Sequence, residues 1–225
     1  MAAIDASGCI NNMNSTLFSS TRQTGFTMIE VLVSLLIIVL GLLGLAGRQT
    51  RMQQAEFESY QRIQALILLY DIVDRIGVNR TTAPCFRFTT AATGTPSLGT
   101  APAYVPVCSG TAYGTTEART MADTAMTEWN NALQGAAETK GGASVGAIVG
   151  ARGCVSYDAT TQLLDGAGAV MSGTGIYTVT VAWQGTGPTI APTAKCGFGL
   201  YPGAADESTT MRRAVSTTFR LGRLY

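Results

Sequence analysis

A chain of 225 residues with 46% apolar content is long enough for one large domain and apolar enough to give it a core. Its formal net charge is +1 and only 13% of its residues are charged, so it carries no basic footprint for nucleic acid. It contains no histidine, which excludes Ser-His-Asp and Cys-His catalysis, histidine-ligated metal and the usual imidazole proton shuttle.

The first element in chain order is an apolar run, Phe26 to Gly47, whose single charge is Glu30. As a helix at about 1.5 Å per residue it reaches about 30 Å, enough to span a membrane. A secretory signal peptide has a shorter core closed by a small-x-small cleavage site, whereas this run continues past Arg48 into a second helical pattern. Hydropathy alone therefore reads as an uncleaved anchor. The carboxylate of Glu30 is costly in hydrocarbon unless a partner meets it.

At Gly25-Phe26-Thr27-Met28-Ile29-Glu30, behind a polar leader carrying Arg22, the sequence resembles the type IV prepilin class III signal. The resemblance implies that a prepilin peptidase cuts after Gly25 on the cytoplasmic side and N-methylates the new terminal residue, Phe26. It also implies a partner for Glu30: the terminal amine of an adjacent subunit, in a low-dielectric setting where pairing matters most. Residues 1–25 are then the leader. Initiation at Met13 leaves a thirteen-residue leader closer to the family pattern and removes Cys9. Arg48 and Arg51 lie beyond the run and only Arg22 precedes it, so the orientation follows from the resemblance and the cysteines, not from the charge rule.

Beyond residue 47 the helical period continues through Met52, Ala55, Ile63, Leu66, Ile67, Tyr70, Val73 and Ile76, which predicts one helix from Phe26 to about Gly77, with 26–47 in the membrane and 48–78 beyond it. Gly41, Gly44 and Gly47 mark either a stretch ready to unwind or a small-residue face for a neighbouring helix. Asp71, Asp74 and Arg75 read as a solvated face or a local pair, not a metal site.

Residues 79–225 form the expected head. Pro84, Pro96, Pro102 and Pro106 break any period and predict a long surface loop bracketed by Cys85 and Cys108. A second amphipathic helix is expected from Glu117 to about Lys140, with Met121, Ala125, Trp129, Leu133 and Ala136 as its stripe and Gly141-Gly142 as its end. Strands follow at Gly153–Asp158, Ile176–Gln184 and Ala214–Leu221, which makes an antiparallel sheet to cover the long helix. No CxxC or other short-spaced cysteine pair suits zinc or redox chemistry, and four cysteines allow three disulfide connectivities. Cys85 with Cys108 and Cys154 with Cys196 is the expected pairing, because each bridge closes a local stretch that lacks a core of its own.

The stretches "ALILLYDIVDRIGVNR" at 65–80, "TEWNNAL" at 127–133, "ARGCVSY" at 151–157 and "YTVTVAWQG" at 177–185 resemble PilV-type minor pilins. That resemblance implies the α+β type IV pilin fold: a long N-terminal membrane-spanning helix packed on a small antiparallel sheet. It implies a structural role in starting pilus assembly and displaying a tip adhesin. The implied partners are other minor and major pilins, the prepilin peptidase, an assembly ATPase and an inner-membrane platform, with no catalysis, cofactor, metal or nucleic acid. The chain would reside in the inner membrane with its C-terminal body in the periplasm, then on the surface pilus. Minor pseudopilins of type II secretion share the first helix and are the alternative, although their bodies are usually smaller than the roughly 150 residues beyond Gly77. A membrane-anchored enzyme or binding module is the more distant alternative.

Overall fold

The computed structural model describes residues 25–99, 105–110, 113–136, 138–144, 146, 148–201 and 209–222. The expected leader, with Cys9, Met13 and Arg22, lies outside the described residues. The chain divides into two compact units at Gln49/Thr50. Its elements are α1 (Met28–Val78), a 3-10 helix (Arg80–Phe86), α2 (Thr116–Leu133), β1 (Thr139–Lys140), β2 (Ala143–Ser144), β3 (Arg152–Asp158), a 3-10 turn (Ala159–Thr161), β4 (Ile176–Gln184) and β5 (Arg212–Arg220). A long apolar helix and small antiparallel sheets make this an α+β fold of the pilin kind.

In the first unit the chain is non-helical through Thr27, whose carbonyl accepts the N–H of Glu30 at 3.0 Å and so opens α1. The helix runs unbroken through Gly41, Gly44 and Gly47, at each of which an added Cβ would meet nothing within 4 Å. Of the two expectations for these glycines, unwinding is not seen in the isolated chain.

In the second unit, β3, β4 and β5 form an antiparallel sheet in sequence order, with Tyr177 of β4 opposite Tyr157 and Phe219. Alternation puts Tyr177, Val179, Val181 and Trp183 on one face, all buried, as the strand pattern predicts. Against the sheet lie α2 and the buried side of α1, joined in one core. The α1 side chains that enter it are Ala65, Leu69, Ile72 and Ile76, together with Gln61. This corrects the expected stripe: Ile76 is in the core and Val73 packs at its edge, but Met52, Ile63, Ile67 and Tyr70 are more than half exposed. Apolar residues occupy more than one side of this helix, and only the sheet and α2 select which side is covered.

Helix α2 is opened by Thr115, whose hydroxyl accepts from the Ala118 N–H at 3.3 Å. It ends at Leu133, short of the expected Lys140, because the chain turns at Gly135, which sits at φ 81°, where a glycine carries no Cβ penalty. Gly141 and Gly142, expected to close the helix, instead turn the β1–β2 hairpin. The buried stripe is Ala122, Ala125, Met126, Trp129 and Leu133, whereas Met121 and Ala136 face solvent. Trp129 donates its indole N–H to the Leu68 carbonyl at 2.8 Å, fastening α2 to α1. Arg75 adds a bridge between the same helices, pairing with Asp71 at 2.9 Å and with Glu128.

The part of the Cys85–Cys108 stretch that precedes residue 100 is not wholly the surface loop its prolines suggest. Phe86 and Leu98 are fully buried in the core, Leu98 exchanges two backbone hydrogen bonds with Gly153 at 2.9 and 3.0 Å, and the Thr89 N–H donates to the Val155 carbonyl at 2.9 Å. This segment thereby covers the outer edge of β3, which would otherwise present unpaired backbone groups.

Candidate functional site: the N-terminal motif and the tied strap

Gly25, Phe26 and Thr27 form a short non-helical entry to α1, and all three are exposed. Phe26 is 83% exposed, and among the described residues nothing lies within 4 Å of where a Gly25 Cβ would be. Glu30 occupies the first turn of α1, where a carboxylate faces the positive end of the helix dipole. Its backbone carbonyl accepts the Ser34 hydroxyl at 2.7 Å, and its side chain is exposed. From Phe26 to Leu45 the large apolar side chains are 49% to 86% exposed, so α1 here is apolar on every side and long enough to cross a membrane. Such a surface is stable in hydrocarbon or against other helices, not in water.

In the second unit the structure bonds Cys85 to Cys108 and Cys154 to Cys196, with Cα–Cα separations of 5.2 and 5.8 Å. The second bridge anchors a strap, residues 185–201, that sequence reasoning left without a role. Arg212, fully buried at the start of β5, donates one terminal nitrogen to the Cys196 carbonyl at 2.9 Å and to that of Ala194, and the other to Pro192 at 2.9 Å. Burial pushes its pKa down, so the three carbonyl dipoles are what keep the cation tolerable inside. Arg213 donates to the Gly187 carbonyl at 2.7 Å and pairs with Glu58 of α1 at 3.1 Å. The Thr186 hydroxyl, donating to Glu58 at 2.8 Å, holds that carboxyl below its usual range; burial opposes this, and the Thr186 N–H and Arg213 reinforce it. Besides Cys196, a pair of adjacent arginines opening a strand is the signal for this strap in the sequence.

Among the described residues no group of three metal-ligating side chains comes together. Gly25 and Phe26 lie in the non-helical entry to α1 and Glu30 in its first turn, while four cysteines form two bridges in the head.

Residues 20–46 match the family model of the prokaryotic N-terminal methylation motif. No curated protein and no solved structure matches the chain. The match marks a pilin- or pseudopilin-like chain, anchored in a membrane by its apolar helix and assembling with others of its kind.

Proposed function

We propose that the protein is a minor pilin of a type IV pilus, structural and not catalytic, which helps start pilus assembly and display components at the tip. The observation that carries this reading is the methylation-motif match over 20–46, with Gly25–Phe26 exposed at the mouth of an apolar helix and Glu30 in its first turn. On this reading the peptidase cuts after Gly25, because a small residue lets the extended backbone enter an active site at the membrane surface. Phe26 is then the methylated terminus. Its amine, still cationic after methylation, is met by Glu30 of a neighbouring subunit, which removes the cost of leaving either charge alone in hydrocarbon. The body beyond residue 47 lies in the periplasm, where both disulfides form. Major and other minor pilins, the inner-membrane platform and a tip adhesin are the partners this role requires.

The test is mass spectrometry of the chain from a strain with active peptidase, together with its abundance in sheared pili. A chain beginning at N-methyl-Phe26 is expected, with full-length precursor accumulating in Gly25→Val and the protein missing from pili in Glu30→Ala. An intact leader overturns the prepilin reading, and absence of the wild-type chain from sheared pili overturns the pilus in favour of a secretion pseudopilus.

A further inference from the structure

A cavity of about 300 Å³ opens in the head between the 3-10 helix at Arg80–Phe86, the 172–174 turn, β4 and the residues following β5. Its walls are mostly apolar, with Ala83, Pro84, Leu221 and the ring of Tyr177 among them, and Arg80 and Ser172 are exposed members of the lining. Its size is at the lower end for ligand pockets, which run from about 300 to 1,000 Å³, and leaves room for one ring-sized group.

Three features set the chemistry of an occupant. Tyr177 is 1% exposed, lines the cavity, and has no hydrogen-bond partner for its hydroxyl among the described residues. Its ring is held between Tyr157 and Phe219, with centroids at 4.7 and 5.5 Å, so the hydroxyl cannot turn away to find one. Burial first, and the nearby Tyr157 second, push its pKa up to about 12 against the opposing influence of Arg87, so the phenol remains a donor at neutral pH. Arg80 spends its Nε–H on the Gly77 carbonyl at 3.1 Å and makes no ion pair among the described residues, which leaves its terminal nitrogens available to a carboxylate. Among the described residues no aspartate or glutamate lines the cavity. The polar side chains described in its lining can all donate, and the one formal charge among them is that of Arg80.

We infer that this cavity binds an apolar carboxylic acid: the ring or branched aliphatic body sits between Ala83, Pro84, Leu221 and Tyr177, and the carboxylate meets Arg80 with the Tyr177 hydroxyl as a further donor. An acceptor oxygen entering the cavity gives the Tyr177 hydroxyl a hydrogen bond where the mostly apolar walls leave few competing partners. The same chemistry is offered by a free acid and by the C-terminal residue of a peptide. The inference does not depend on the pilin reading, since every residue it uses lies in the head.

The test is titration of the full-length chain in non-ionic detergent with 4-fluorobenzoate, followed by fluorine NMR against protein-free micelles, and with N-acetylphenylalanine as the peptide-end probe. Saturable binding of at least one probe is expected. Arg80→Gln should weaken it at least tenfold, Tyr177→Phe about threefold, and Ser172→Phe, at an exposed lining position, should block it. The neutral 4-fluorobenzamide should bind at least tenfold more weakly than the acid. Preference for N-acetylphenylalanine assigns a peptide end, and preference for 4-fluorobenzoate a free acid. No saturable binding of either probe, or binding that Arg80→Gln leaves unchanged, overturns the assignment.

Discussion

Adding one methyl group to Gly153 should destabilise the head more than most surface deletions. Gly153 lies in β3 with a backbone partner on each side, Val181 in β4 and Leu98 in the edge segment, so its main chain cannot retreat. A Cβ built there runs into Cη2 of Trp129, and lies 2.6 Å from Cζ3 of the same ring and 2.7 Å from Cδ1 of Leu133. Carbon atoms pack comfortably at about 3.5 to 4.0 Å, so the overlap is about 1 Å. Trp129 is fully buried and its indole N–H is committed to Leu68 at 2.8 Å, so moving the ring sacrifices the bond that joins α2 to α1. Overpacking of this kind costs about 1 to 3 kcal/mol, and with the backbone held on both sides the upper figure applies. For a chain of this size each 1 kcal/mol lowers Tm by about 2 to 4 °C, so Gly153→Ala should melt about 6 to 12 °C below wild type. Near-UV circular dichroism of the full-length chain in detergent reads this directly. In a Trp129→Phe background, which removes the clashing ring atoms, the same substitution should cost at least about 1 kcal/mol less. A Gly153→Ala melt within 2 °C of wild type, or an equal cost in both backgrounds, refutes the packing argument.

Glu58→Gln should lower Tm at neutral pH but not in acid. The folded-state pKa of Glu58 is depressed below its ordinary value of 4.5, so its stabilisation is present above that value and lost as pH falls through the folded pKa; a pH series of melts for both proteins checks the convergence. Removing the Cys154–Cys196 bridge by paired Ala substitution should cost about 4 kcal/mol for its separation of 42 residues, against about 3 for the 23 between Cys85 and Cys108, in the chain-entropy model. Equal melting temperatures for the two double variants would count against that ranking. Arg212→Met should leave the Pro192, Ala194 and Cys196 carbonyls without their donor, and hydrogen exchange in the strap should rise at least tenfold while exchange in α2 stays unchanged.

Elements whose signal is local were legible in the amino-acid order. The apolar run from Phe26 to Gly47 has the length and composition of a membrane-spanning helix, and the alternation in Ile176–Gln184 puts Tyr177, Val179, Val181 and Trp183 on one face. The motif at Gly25-Phe26 and Glu30 is linear as well, so its recognition needed no tertiary information, and the family-model match falls on the same residues. What the sequence left undecided depended on neighbours. Apolar residues lie on several sides of α1, and only docking against the sheet and α2 selected Ala65, Leu69, Ile72 and Ile76 over Ile63, Ile67 and Tyr70. The Pro-rich stretch from 85 to 108 carries no period, yet the open edge of β3 draws Leu98 and Thr89 into pairing and buries Phe86 beside it. Arg212 reads as a surface charge in any composition count; a buried cation becomes tolerable only because three strap carbonyls, 16 to 20 residues away along the chain, fold back onto it. Local pattern thus determined which segments are helix and strand and where the membrane motif lies, whereas partner choice between distant segments was decided only when the chain had to satisfy its backbone groups and exclude water together.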